Sequence, residues 1–147
     1  MTEVKFPKPS AWFAFRLETD LIDPPELQLE LTPAGKKERL STTLGMSKYF
    51  KAGATEPIPE EMMPALEQLA PLAMRHVVGW DLTIGGAPIP CTDEEKAKWL
   101  EPLLWEDAEV VGGDPMVEAE TPAEQKARWL WARIIEVISS KGNFLKN

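Results

Sequence analysis

A chain of 147 residues, 44% of them hydrophobic, has the size of one domain over 1–147 with one substantial core, and two full domains are not expected at this length. Its 14 Pro and 9 Gly cut it into short elements, so long uninterrupted helices are not expected. The net charge of −8 is unevenly spread: residues 1–55 carry 8 basic and 7 acidic groups, 56–125 carry 3 and 16, and 126–147 carry 5 and 1. An acidic middle repels nucleic acid and favours a basic partner in a salt-screened way, although a merely solvated acidic surface has the same composition.

In chain order, Ala11 to Thr19 suits a strand and Asp20 to Pro25 a turn. In Glu26 to Leu31, the leucines Leu27, Leu29 and Leu31 alternate onto one face, so the two runs predict an antiparallel hairpin that must pack on helices to be stable. Thr32-Pro33 reads as a helix entry, since the threonine oxygen can accept an orphan N–H and Pro costs nothing at the first helical position. That helix is expected to end near Gly45, with residues 46–57, including Tyr49 and Phe50, as a loop.

From Pro59 to Val77, apolar residues at Met62, Leu66, Leu69, Ala73 and Val77 form one helical stripe. Pro64 and Pro71 predict a kink or two short helices there. Val77-Val78-Gly79-Trp80-Asp81-Leu82 then ties the helix end to a tryptophan and reads as a packing joint, followed by the turn-rich Gly85-Gly86-Ala87-Pro88-Ile89-Pro90. Thr92-Asp93-Glu94-Glu95 is a capping box, in which Thr92 accepts from the third helical N–H and Glu95 reaches back to the Thr92 N–H. The helix it starts carries Trp99, Leu100, Leu103 and Leu104, with Pro102 near its end.

Glu106 to Glu120, with Gly112-Gly113-Asp114-Pro115, is the expected mobile acidic connection. Thr121-Pro122-Ala123-Glu124 is a second capping box, and Ala127, Leu130, Trp131, Ile134, Ile135 and Ile138 make the broad apolar face of a helix stopped by Gly142. On such a helix Trp129 lies about 200° from Trp131, so one of the two is expected to meet another chain. The likeness between the segments at Thr32-Pro33-Ala34 and Thr121-Pro122-Ala123 is shared capping chemistry rather than a duplicated domain. Together these elements predict an α+β, predominantly helical fold, with a small N-terminal β-hairpin packed on a bundle of short, proline-interrupted helices.

Little in the chain points to catalysis. His76 is the single histidine, at a helix end where the dipole favours its protonated form, and a triad would need a nucleophile and an orienting carboxylate beside it. Cys91 is the single cysteine, which excludes an intramolecular disulfide and fits a reducing cytoplasm. Asp93, Glu94 and Glu95 are explained by capping, and neither Gly85-Gly86 nor Gly112-Gly113 has the spacing of a phosphate loop, so no metal or cofactor is expected. Lys126, Arg128, Arg133, Lys141 and Lys146 with Trp129 make only a weak basic face, and an acidic DNA mimic is the inverse reading. The start, Met1 to Phe6, lacks an export signal, and no apolar run approaches the ~20 residues that span a bilayer, which predicts a cytoplasmic protein off the membrane.

One resemblance bears on function. An N-terminal strand-like segment and a Leu-Thr-Pro helix start precede Val77-Val78-Gly79-Trp80-Asp81-Leu82. The turn Gly86-Ala87-Pro88-Ile89-Pro90 and a Thr92-capped helix follow. This order resembles the tail assembly chaperones of long-tailed bacteriophages of the siphophage type. The specific part is residues 77–100, and the Trp-rich C-terminal half departs from it.

The resemblance implies a non-catalytic protein of the bacterial host cytoplasm. Such a protein binds and solubilises the tape measure protein, helps recruit tail tube protein subunits and leaves before the virion is complete; a homo-oligomer is compatible with it. Val78, Trp80, Ile89 and Pro90 would form the joint, and Trp99, Trp129 and Trp131 would be partner contacts, with a place in the internal core as the competing reading of each. A permanent minor virion component, such as a tail or connector subunit, is the alternative.

Overall fold

The computed structural model describes residues 9–37, 63–111 and 129–144. Strand β1, Ala11–Leu17, pairs antiparallel with β2, Glu26–Leu31, placing Phe13 opposite Leu29 and Phe15 opposite Leu27. The period of two sorts the side chains: Phe15, Leu17, Leu27, Leu29 and Leu31 are buried, while Trp12, Arg16 and Gln28 are exposed. The hairpin and its leucine face are as the alternation predicts.

Residues 32–35 are not helical, and helical geometry begins only at 36–37; the rest of the helix expected to reach Gly45, and the loop expected at 46–57, lie outside the described residues. Thr32 does not cap that helix, because its hydroxyl is engaged elsewhere. Its Oγ1 lies 2.9 Å from His76 Nδ1, its carbonyl 3.0 Å from the same nitrogen, and its N–H donates to the His76 carbonyl at 2.9 Å. His76 is thereby a buried clasp between the end of β2 and the end of the next helix.

That helix, α1, is Met63–Arg75, and it runs on through Pro71 rather than splitting there. Pro71 is exposed, close to the C-terminal end, where few turns depend on the lost bond; Pro64 sits in the first turn, where its missing N–H would have had no partner. Leu69 and Ala73 of the expected stripe are buried on α1. Val77 is buried too, but as the first residue of strand β3, Val77–Trp80.

A short hairpin follows, β4 (Thr83–Ile84) and β5 (Ala87–Pro88), turned by Gly85 and Gly86 at φ 57° and 83°. Positive φ at both central residues is the hairpin geometry that glycine adopts without penalty. Helix α2 begins at Asp93–Glu95 and continues as a π-turn over Lys96–Leu100 and a 3-10 turn over Glu101–Leu103. The expected mobile connection near 106–120 starts as strand β6, Ala108–Val110, while 112–120 lie outside the described residues. Helix α3, Leu130–Ile138, precedes a 3-10 turn at Lys141–Phe144.

Strands β3, β2, β1 and β6 form one antiparallel sheet in that order. The expectation of a predominantly helical bundle is therefore corrected: the described residues are organised by a four-stranded sheet, with a second sheet of two strands and short helices. The two outer strands, of four and three residues, are too short to show a period in sequence, and only pairing with distant β2 and β1 makes them strands.

α3 is the centre of the core. Eight of its nine residues are buried, the expected apolar face among them, and only Glu136 is left half-buried, so the helix is enclosed on nearly every side. Its first N–H groups have no side-chain cap; Leu130 and Trp131 donate instead to the carbonyls of Glu106 and Leu104, at 2.9 and 3.1 Å. Buried Arg133 donates from Nε to the Ala108 carbonyl of β6 at 3.2 Å and pairs with Glu136 at 3.0 Å. A charge this far from water is tolerated because it is paired and hydrogen-bonded.

Candidate functional site

The joint predicted at 77–100 is built around Trp80. Strand β3 places its indole opposite Leu29, 9% exposed, and the Nε1–H donates to the Ile89 carbonyl at 2.6 Å. The Ile89 N–H in turn donates to the Leu82 carbonyl at 2.9 Å, so Trp80 and Leu82 together hold the Gly-x-Pro-x-Pro turn at Ile89. Ile89 is buried and Pro90 exposed. Thr92 caps α2 as expected, accepting from the Glu95 N–H at 3.3 Å. The return half of the capping box is absent: Glu95 accepts instead from Trp99 Nε1 at 2.5 Å, and the Thr92 N–H goes to the Pro90 carbonyl.

These contacts shape one side of a groove of about 550 Å³. Its first wall is the β1–β2 connection at Leu21–Pro24, its second the segment Asp81–Ile84, and its third the π-turn and 3-10 turn with Lys98, Trp99 and Pro102. Buried Ile89 and Leu103 form the floor. A π-turn is an uncommon departure in a helix and is frequent where a side chain is re-aimed at a functional surface. Here it carries Trp99, half-buried, with Lys98 Nζ 4.9 Å from the ring centroid.

The lip is apolar and wet. Leu21 is 57% and Ile84 58% exposed, an arrangement that loses free energy in water and gains it under a partner. Asp23, Glu26 and Asp81 bring carboxylates to the same groove, against the one amine of Lys98. The β1–β2 connection is the part that sequence reading missed, because a Pro-rich turn carries no signal that it will face residues sixty positions on.

A second exposed apolar pair lies on the open face of the sheet. Val78 is the extra residue of a bulge between the Leu31–Val77 and Glu30–Gly79 pairs and is 45% exposed, and Trp12 is 53% exposed. Gly79 is there because neighbours close over it: a Cβ would fall 2.7 Å from Glu30 Oε1, 3.1 Å from Glu30 Cβ and 3.3 Å from the Trp12 ring. Gly79→Val is expected to displace the Glu30 carboxylate from its 2.7 Å bond with Ser10 and to lift Trp12, lowering stability by about 1–3 kcal/mol. Urea unfolding should show Gly79→Ala in between, and a Val variant as stable as the parent would refute the close approach.

Trp129 and Trp131 are not placed as predicted. Trp129 has φ −59° and ψ 147° and bridges to Asp107, so it precedes α3 rather than standing on it, and no continuous helix runs from Thr121 through it; 121–128 themselves are outside the described residues. The angular argument that sends one indole to another chain therefore fails. The two rings stack at 5.6 Å and 20°, with Trp105 edge-on to both at 5.0 and 5.7 Å. Trp131 is fully buried and Trp129 partly so, making this cluster an internal one distinct from the groove.

Cys91 is half-buried, and burial pushes its thiol above the ordinary range; Lys96 opposes this, while Glu30 and Asp93 add to it. Alkylation at neutral pH should be slower than for a free cysteine, and a rate equal to or above that reference would contradict the assignment. Since the folded value is the higher one, the associated stability is complete below the unfolded thiol pKa and is lost as pH rises through the folded pKa. Among the described residues no group of three His, Cys, Asp or Glu is placed to hold a metal ion, and no helix is long and apolar enough to cross a membrane.

Neither a protein-family model, nor a curated protein, nor a solved structure matches the chain.

Proposed function

We propose that this chain acts by binding another protein, as a tail assembly chaperone of the long-tailed bacteriophage type. In this role it keeps the tape measure protein soluble in the host cytoplasm and helps bring tail tube subunits to it. The observation that carries the reading is the groove with its exposed Leu21 and Ile84 lip. The stretch that resembles these chaperones, residues 77–100, supplies half of the groove's lining, from Asp81 to Trp99. Trp80, Ile89 and Trp99 thus serve one purpose in this reading, with Trp80 supporting and the other two lining. Val78 offers a second contact on the sheet face, and Pro90 holds the turn.

Co-expression tests it. The tape measure protein should stay soluble with the parent chain and precipitate when Leu21 and Ile84 are both changed to serine. A tape measure protein insoluble in both cases would end the proposal. Mass spectrometry of mature particles separates the alternative, since a permanent tail or connector subunit would be found there and a chaperone would not.

A further inference from the structure

The groove has a sign as well as a shape. Three carboxylates, Asp23, Glu26 and Asp81, line it, and all three residues are exposed. Asp81 commits one oxygen, Oδ1, to the Gln28 N–H at 3.0 Å. No ion pair with another described residue engages Asp23 or Glu26. The single amine, Lys98, lies over the Trp99 ring instead. Although Arg16 stands across the strand pair from Glu26, an apolar floor and lip beside three carboxylates and one amine disfavour an acidic or purely apolar occupant, because it would remove charges from water without replacing that hydration. A cation beside an apolar group satisfies both parts of the surface, and the excess of acidic groups over residues 56–125 would speed its arrival.

We propose that the groove docks a partner-protein segment in which apolar side chains, seated between Ile84, Leu21 and Trp99, are flanked by Lys or Arg that meet Asp23, Glu26 and Asp81. This rests on the reading of the groove as the partner site and adds the chemistry by which the partner is chosen. The apolar contacts hold the segment, and the carboxylates select it. A segment with acidic flanks is refused by like-charge juxtaposition at the rim.

Two synthetic helical peptides with one Leu/Ala face, one flanked by lysines and the other by glutamates, test the proposal against the full chain by calorimetric titration. The lysine peptide should bind at least about tenfold more tightly at low salt. High salt should erase most of that advantage, and so should the double variant Asp23→Asn with Glu26→Gln. Ile84→Ser should weaken both peptides. These positions are exposed, and a thermal transition matching the parent's confirms that each variant is folded.

Equal affinity for the two peptides, or a lysine preference that survives the double variant, overturns the charge selection. If neither peptide binds while a co-expressed tape measure protein stays soluble with the parent chain and precipitates with the Leu21 and Ile84 double serine variant, the charge selection is overturned and the functional reading stands. If the lysine peptide binds as described but the tape measure protein precipitates, the functional reading fails and the groove's preference stands. Self-association that blocks both peptides and disappears in Ile84→Ser gives the groove to a second copy and also overturns the proposal.

Discussion

Trp131→Ala is expected to lower stability by about 3–5 kcal/mol, a large part of the 5–15 kcal/mol typical of a domain. The ring is fully buried at the start of α3, stacks on Trp129 and receives the edge of Trp105, so its removal strips one helix end and a three-ring cluster together. Trp131→Phe should cost much less. Its Nε1 is buried with no hydrogen-bond partner among the described residues, and a phenyl ring removes that donor, a relief of roughly 1–3 kcal/mol set against the smaller ring. Chemical denaturation of the two variants measures the difference. Equal losses for Ala and Phe would mean that the indole N–H is satisfied after all.

The second large effect is at Trp80, where stability and the groove are joined. Trp80→Ala removes a nearly buried ring opposite Leu29 and should also cost about 3–5 kcal/mol. Trp80→Phe is the informative variant, since it keeps most of the packing and deletes only the donor to the Ile89 carbonyl. That change should cost about 1–2 kcal/mol and loosen the Gly-x-Pro-x-Pro turn without unfolding the sheet. Hydrogen exchange at the Ile89 N–H, which donates to Leu82, should quicken more than exchange in β1 and β2. A uniform rise across the sheet would show instead that Trp80 supports the whole fold and does not set the turn.

The joint was legible because it is local. A tryptophan, a Gly-x-Pro-x-Pro turn and a Thr-started helix within residues 77–100 constrain one another over short distances, and the Thr92 cap forms where the spacing puts it. What the joint faces was not legible. Leu21 and Asp23 sit in a turn whose composition says only that the chain reverses, and they reach the groove because β2 pairs with β3. The same limit explains Trp129: the helical spacing expected from Thr121 onward carries through a residue whose backbone is extended and bridged to Asp107.

By itself the sequence determined the β1–β2 hairpin, the leucine face of β2, the cap at Thr92 and the acidic balance of the middle of the chain. Each follows from neighbours a few residues apart: alternation with a period of two, one hydroxyl three residues from an N–H, and a count of charges. The tertiary structure alone decided that Val77–Trp80 and Ala108–Val110 are strands, that α3 is enclosed and that Trp99 and Ile84 share a groove with Asp23. Those outcomes rest on pairings and burial between residues far apart in the chain, for which a short segment carries no local preference strong enough to oppose the hydrogen bonds and apolar area gained on assembly.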